Sequence, residues 1–240
     1  MKINRTTAFV CIIIMIISGI SLIICKNNIL QNIFLGIFTG FIVSFVLSII
    51  GYFHEREKIF NAISFNIKSL YINITDMSKI LGNFLITIHN TAEIQDDKLN
   101  LLINISKFNI SLIDKMNLES YVPVLKNSQK AYVCKRLKEF HDITYSIKYN
   151  ISENKIKILE YKKQFLIIHQ NGKIPSFEEV KYLDNLKNEI IIFTARLHEY
   201  ITMQSLEVGK IANEFFGDKK WKEIEKKLQI EIENNKKEVE

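Results

Sequence analysis

No Asp or Glu occurs in the first 53 residues, although the chain of 240 carries 26 of them. Only Lys2, Arg5 and Lys26 bring a basic charge to that stretch. Residues 54–240 hold the other 29 basic side chains and all 26 acidic ones, a formal net of +3. A segment so nearly free of charge is not built for a surface in water. Within it lie two uncharged runs, Ala8 to Cys25 and Ile33 to Phe53, of 18 and 21 residues. As helices they measure roughly 27 and 31 Å. The hydrocarbon core of a bilayer is about 30 Å thick, so each is long enough to cross it. Lys26 to Asn32 links them with a short polar turn. Backbone groups in lipid must bond within their own segment, so residues 1–53 are expected to form a transmembrane helical hairpin. No small-x-small pattern follows the first run, which is therefore read as a retained anchor and not a cleaved signal.

Lys2 and Arg5 precede the first run, and Arg56, Lys58 and Lys68 follow the second, against Lys26 alone in the turn. The excess of basic residues outside the turn predicts that both termini face the cytosol. Ile, Lys and Asn are abundant and only four Arg occur, the bias of an AT-rich bacterial genome. The expected location is therefore a bacterial inner membrane.

Gly36, Gly40, Ser44 and Ser48 recur every four residues in the second run. Small residues at that spacing let a second helix approach closely, and in lipid it is packing that holds helices together. The stripe is read either as an oligomerisation face or as the seat of the first run. Cys11, Ser18, Ser21 and Cys25 supply a matching face on that run.

From Glu55 onward the pattern turns helical and long. Phe60, Ile63, Ile67, Leu70, Ile74, Met77, Leu81, Phe84 and Ile88 alternate spacings of three and four, an apolar heptad seam. Only Gly51 interrupts the way back to the second run, so one helix can continue from it. Asn90 to Asp97 is a polar break. A shorter helix is expected over Lys98 to Leu118, with Leu101, Ile105, Phe108 and Leu112 inward, ended near Pro123. Val133, Leu137, Phe140, Thr144, Ile147, Ile151, Asn154, Ile158, Tyr161, Phe165 and Ile168 form the next seam, with a stop at Asn171-Gly172. Ser176 and Glu179 stand at capping-box spacing before a fourth helix. Its expected seam is Leu183, Leu186, Ile190, Phe193, Leu197 and Tyr200, continuing to Ile211 and Phe215. The fold class is thus all-α: a two-helix transmembrane hairpin, a cytosolic antiparallel bundle of long heptad-patterned helices over 54–217, and a charged helix or tail over 218–240.

Chemical motifs are missing from the sequence. Its five His lack the Glu-x-x-His and His-Glu-x-x-His spacings of bundle metal sites. Cys134 has no partner at zinc-ligand spacing. No phosphate-cradling glycine loop or nucleophile elbow occurs. No catalytic, cofactor or metal site is expected, and the alternation of Lys with Glu argues against nucleic acid. Lys219, Lys220, Trp221 and Lys222 join an aromatic ring to basic charge and are candidates for lipid contact.

Two functions follow as expectations. One is a membrane-anchored interaction or sensing protein whose bundle binds a protein partner. The other is a self-assembling two-span effector, a pore or membrane-disrupting homo-oligomer gated by its bundle. In plan, this second reading is similar to two-span effectors of bacterial anti-phage systems, a likeness of architecture that no residue motif carries.

Overall fold

The computed structural model describes residues 2–90, 94, 97–116, 125, 127–169 and 174–237, with side chains described from residue 6 onward except at 127–131 and 231–237. Among the described residues all regular structure is helical and no strand occurs. Six helices follow in order: α1 (Lys2–Ile24), α2 (Asn28–Asn90), α3 (Asp97–Asp114), α4 (Asn127–Ile168), α5 (Phe177–Phe216) and α6 (Asp218–Lys237). The expected breaks at Pro123 and Asn171-Gly172 lie outside the described residues. The chain divides into two units, Met1–Ala62 and Ile63–Glu240. α2 is a single helix through that division, and Gly51 does not interrupt it.

In the first unit Cys25, Lys26 and Asn27 separate α1 from α2. The Asn27 side chain accepts from the backbone N–H of Ile29 at 2.9 Å and of Leu30 at 3.4 Å, which caps the start of α2. Gln31 reaches back across the turn and donates to the Cys25 carbonyl at 2.7 Å. Cys11 and Ser18 are buried, and Gly19 faces the ring of Phe38. Between Gln31 and Phe45 on α2 the half-buried positions are Gln31, Phe34, Phe38, Phe41 and Phe45, again three and four apart.

In the second unit four helices make a closed circuit of contacts. Asn73 of α2 donates to Asn109 of α3 at 2.7 Å. Lys155 of α4 donates to Asn100 of α3 at 2.7 Å, and His141 pairs with Asp114 at 2.8 Å. Asn154 of α4 donates to Thr194 of α5 at 2.8 Å, and Arg136 pairs with Glu207. Thr75 and Ser205 meet at 3.0 Å and Ser78 and Thr202 at 2.7 Å, which joins α5 to α2. Between each neighbouring pair, residue numbers rise on one helix as they fall on the other.

The expected seams on α2 and α4 are buried from Ile63 to Ile88 and from Val133 to Tyr161, continuing at Ile168, with only Phe60 and Phe165 left half-exposed. On α3 the inward face differs from the expected one. Leu99, Leu102, Ser106, Asn109 and Ile113 are buried, whereas Leu101 and Phe108 are exposed. Asn109 can turn inward because Asn73 donates to it, and Ser106 because its hydroxyl bonds the Leu102 carbonyl. On α5 Thr194 and Ile201 are buried where Phe193 and Tyr200 were expected, a shift of one residue. Ser176 and Glu179 form the expected capping box, and Gly217 at φ 84° ends α5 in the region that favours glycine.

Asn154 is 0% exposed, and its side-chain oxygen has no hydrogen-bond partner among the described residues. Its amide donates to Thr194, so Thr194→Val alone strands a buried donor and costs about 1–3 kcal/mol. Asn154→Leu together with Thr194→Val removes both partners and is expected to restore or exceed the original stability. Denaturant unfolding of the three proteins checks this; a double variant no more stable than Thr194→Val alone contradicts it.

Candidate functional site

The small-residue stripe is largely open. A Cβ built on Gly36 or Gly40 meets no atom within 4 Å, and Gly36, Gly40 and Ser44 are exposed. Ser48 is half-buried. The geometry explains the difference. Four residues on an α-helix turn through about 400°, so a four-residue repeat advances by roughly 40° at each step. The stripe therefore winds from the open side at Gly36 toward the phenylalanine face near Ser48. Of the face expected on α1, Cys11 and Ser18 are buried and Ser21 and Cys25 half-buried. Beside that face, a Cβ on Gly19 would lie 3.6 Å from the Phe38 ring of α2.

Four hydroxyls in the apolar runs are satisfied within their own helices. Ser18 donates to the Ile14 carbonyl at 2.8 Å, Ser21 to Ile17 at 2.9 Å, Thr39 to Leu35 at 2.9 Å and Ser44 to Gly40 at 2.9 Å. None of these four requires water. Both α1 and α2 contain a stretch long and apolar enough to cross a membrane.

The basic cluster at the start of α6 is split by the fold. Lys219, Lys220 and Lys222 are exposed, and Lys222 pairs with Asp218 at 3.0 Å. Trp221 is only 4% exposed. Its ring stands edge-on to Tyr71 at 4.9 Å between centroids and stacks on Phe216 at 5.9 Å. Lys68 lies over the other aromatic of this group, 5.7 Å from the Phe216 centroid. The three cations are thus exposed, whereas the ring is packed inside the second unit.

Beside Trp221 an open cleft of about 540 Å³ is lined by Tyr71, Gln204, Asn213 and Glu225 among others. The buried side-chain oxygens of Gln204 and Asn213 have no hydrogen-bond partner among the described residues. The Tyr71 hydroxyl donates to Glu225. Burial first, then this bond and the nearby negative charge, push the Tyr71 hydroxyl up to about 12. The folded chain thus keeps a proton that the unfolded chain releases near pH 10. The resulting stabilisation is complete below pH 10 and is lost as pH rises toward 12, on the order of 2 kcal/mol. Tyr71→Phe is expected to flatten the stability profile between those limits. Unfolding midpoints of the two proteins across that window decide it; parallel profiles contradict the assignment.

Elsewhere the histidines are dispersed. His198 packs between α5 and α2, where a Cβ on Gly82 would lie 3.1 Å from its Nε2. Only the mid-helix glycine hinted at this in the sequence. No family profile, no curated protein and no solved structure matches the chain.

Proposed function

We propose that this chain is a membrane-anchored helical interaction or sensing protein. In this reading α1 and the first part of α2 form a transmembrane hairpin, both termini lie in the cytosol, and α2 to α5 form an antiparallel bundle that carries the interaction surface. One observation carries the anchor. Phe9, Ile16, Ile17, Ile23, Val43 and Leu47 are exposed on helices where the hydroxyls of Ser18, Ser21, Thr39 and Ser44 are satisfied internally, a surface that lipid covers and water does not. The contact circuit between α2, α3, α4 and α5, with opposed directions at every step, supports the bundle.

The open face at Gly36, Gly40 and Ser44 favours a second reading as a self-assembling two-span effector. Close helix approach is available there to another copy, whereas α1 uses a different face.

Both readings meet one experiment. The complex is extracted from its membrane in mild detergent, and its mass and composition are measured. A defined homo-oligomer supports the effector, and ion leakage from vesicles containing the protein is its next test. A stoichiometric second protein supports the interaction reading. Recovery in the soluble fraction without detergent overturns both.

A further inference from the structure

α4 carries two seams on nearly opposite sides. The buried one passes through Ile147, Ile151, Asn154 and Ile158. The other is Tyr145, Tyr149, Ser152, Ile156, Leu159, Lys163 and Leu166, with the same alternation of four and three. Tyr149 is 69% exposed and Ile156 and Leu166 are each 65% exposed, while Tyr145 and Leu159 are about half exposed. At about 100° per residue the two sets lie roughly 160° apart. Packing that covers the first leaves the second outside.

The outer seam has the composition of a two-stranded coil. Tyr149, Ile156 and Lys163 fall at heptad a, and Tyr145, Ser152, Leu159 and Leu166 at d. Ile at a with Leu at d favours two parallel strands, and a lone Lys at a specifies register and partner number. The flanks identify the partner. Lys148 and Lys155 occupy g, and Glu153 and Glu160 occupy e. In a parallel pair each g meets the e five residues further along the other strand. Lys148 then faces Glu153 of a second copy and Lys155 faces its Glu160, each twice by two-fold symmetry. An antiparallel pair would set Lys against Lys and Glu against Glu. Among the described residues these groups make surface contacts, Lys155 to Asn100 at 2.7 Å and Glu153 to Lys157 at 4.0 Å, which are readily exchanged.

We infer that the outer face of α4 pairs with the same face of a second copy in a parallel coiled coil. The parallel sense rests on the membrane reading, because chains anchored alike in one bilayer share a direction; the charge pattern points to it independently. Three heptads alone are marginal, and co-anchoring supplies the high effective concentration that stabilises the pair.

The test uses the full chain in membranes, with Cys11, Cys25 and Cys134 replaced by alanine. Ile156→Cys places a thiol in the seam, and Arg196→Cys, on exposed α5 surface, is the control. Oxidation is expected to give at least about tenfold more covalent dimer with Ile156→Cys than with the control. Adding Lys155→Glu or Glu160→Lys weakens it on the order of tenfold, through lost pairs and new repulsion in both copies. The two changes together restore it. Residues five apart on one helix do not face each other, so this rescue reports the second copy. Circular dichroism verifies that each variant is folded. Cross-linking no greater than the control, or no rescue, overturns the proposal. Alkaline washing of the same membranes reads the anchor separately: a chain that washes off yet cross-links defeats the membrane reading alone, and one that stays without cross-linking defeats the seam alone.

Discussion

Trp221→Ala is expected to release α6 from the second unit, at a cost of about 3–5 kcal/mol for a buried aromatic truncated to a methyl group. The ring is 4% exposed and touches two other helices, Tyr71 on α2 and Phe216 on α5. Few other side chains hold α6 in place. Leu228 is buried and Ile224 half-buried, and the rest of the described part of the helix is mostly charged. Loss of the ring also uncovers the Tyr71 hydroxyl and its bond to Glu225. Limited trypsin digestion in solution is the measurement, because Lys219, Lys220, Lys222, Lys226 and Lys227 all lie on α6. Rapid cleavage there in Trp221→Ala, with Trp221→Phe much less affected, is the expected result. Unchanged cleavage combined with lost binding to anionic vesicles would instead return Trp221 to a lipid-facing role.

Gly40→Leu is expected to leave the isolated chain intact and to abolish association through the open stripe. The two effects separate because no atom lies within 4 Å of a Cβ at that position. The added Cβ therefore meets nothing in its own copy, and leucine favours the helix over glycine by a large fraction of 1 kcal/mol. A second helix seated at Gly36 and Gly40 would be pushed away, with association weakened at least about tenfold, or about 1.4 kcal/mol. Gly19→Leu is the contrast, since Phe38 already lies 3.6 Å from the corresponding Cβ. That variant is expected to disturb the first unit itself. Oligomer mass in detergent reads the first effect and thermal stability the second. Gly40→Leu with unchanged oligomer mass removes the stripe from the assembly.

Much of the helical order was legible because it is a one-dimensional property. The seam from Ile63 to Ile88 needs only alternation of three and four, and so does that from Val133 to Tyr161. The Ser176–Glu179 box and the Gly217 stop are equally local, since each acts on backbone groups a few residues away. The candidate surfaces were legible as compositions. The sequence displayed four small residues in register and a tryptophan among lysines, but not what each would face.

The sequence by itself determined that the chain is helical, where most helices begin and end, and that its first 53 residues avoid charge. Those features depend on side-chain chemistry and spacing along one helix. Only the tertiary structure decided which of two apolar faces turns inward on α3. Leu101 and Phe108 are as apolar as Leu99 and Leu102. Neighbours break such ties: Asn73 gives Asn109 a partner, and Thr194 gives one to Asn154. The same reason took Trp221 into the core and left Gly40 open, because burial is a property of what stands opposite and not of the residue alone.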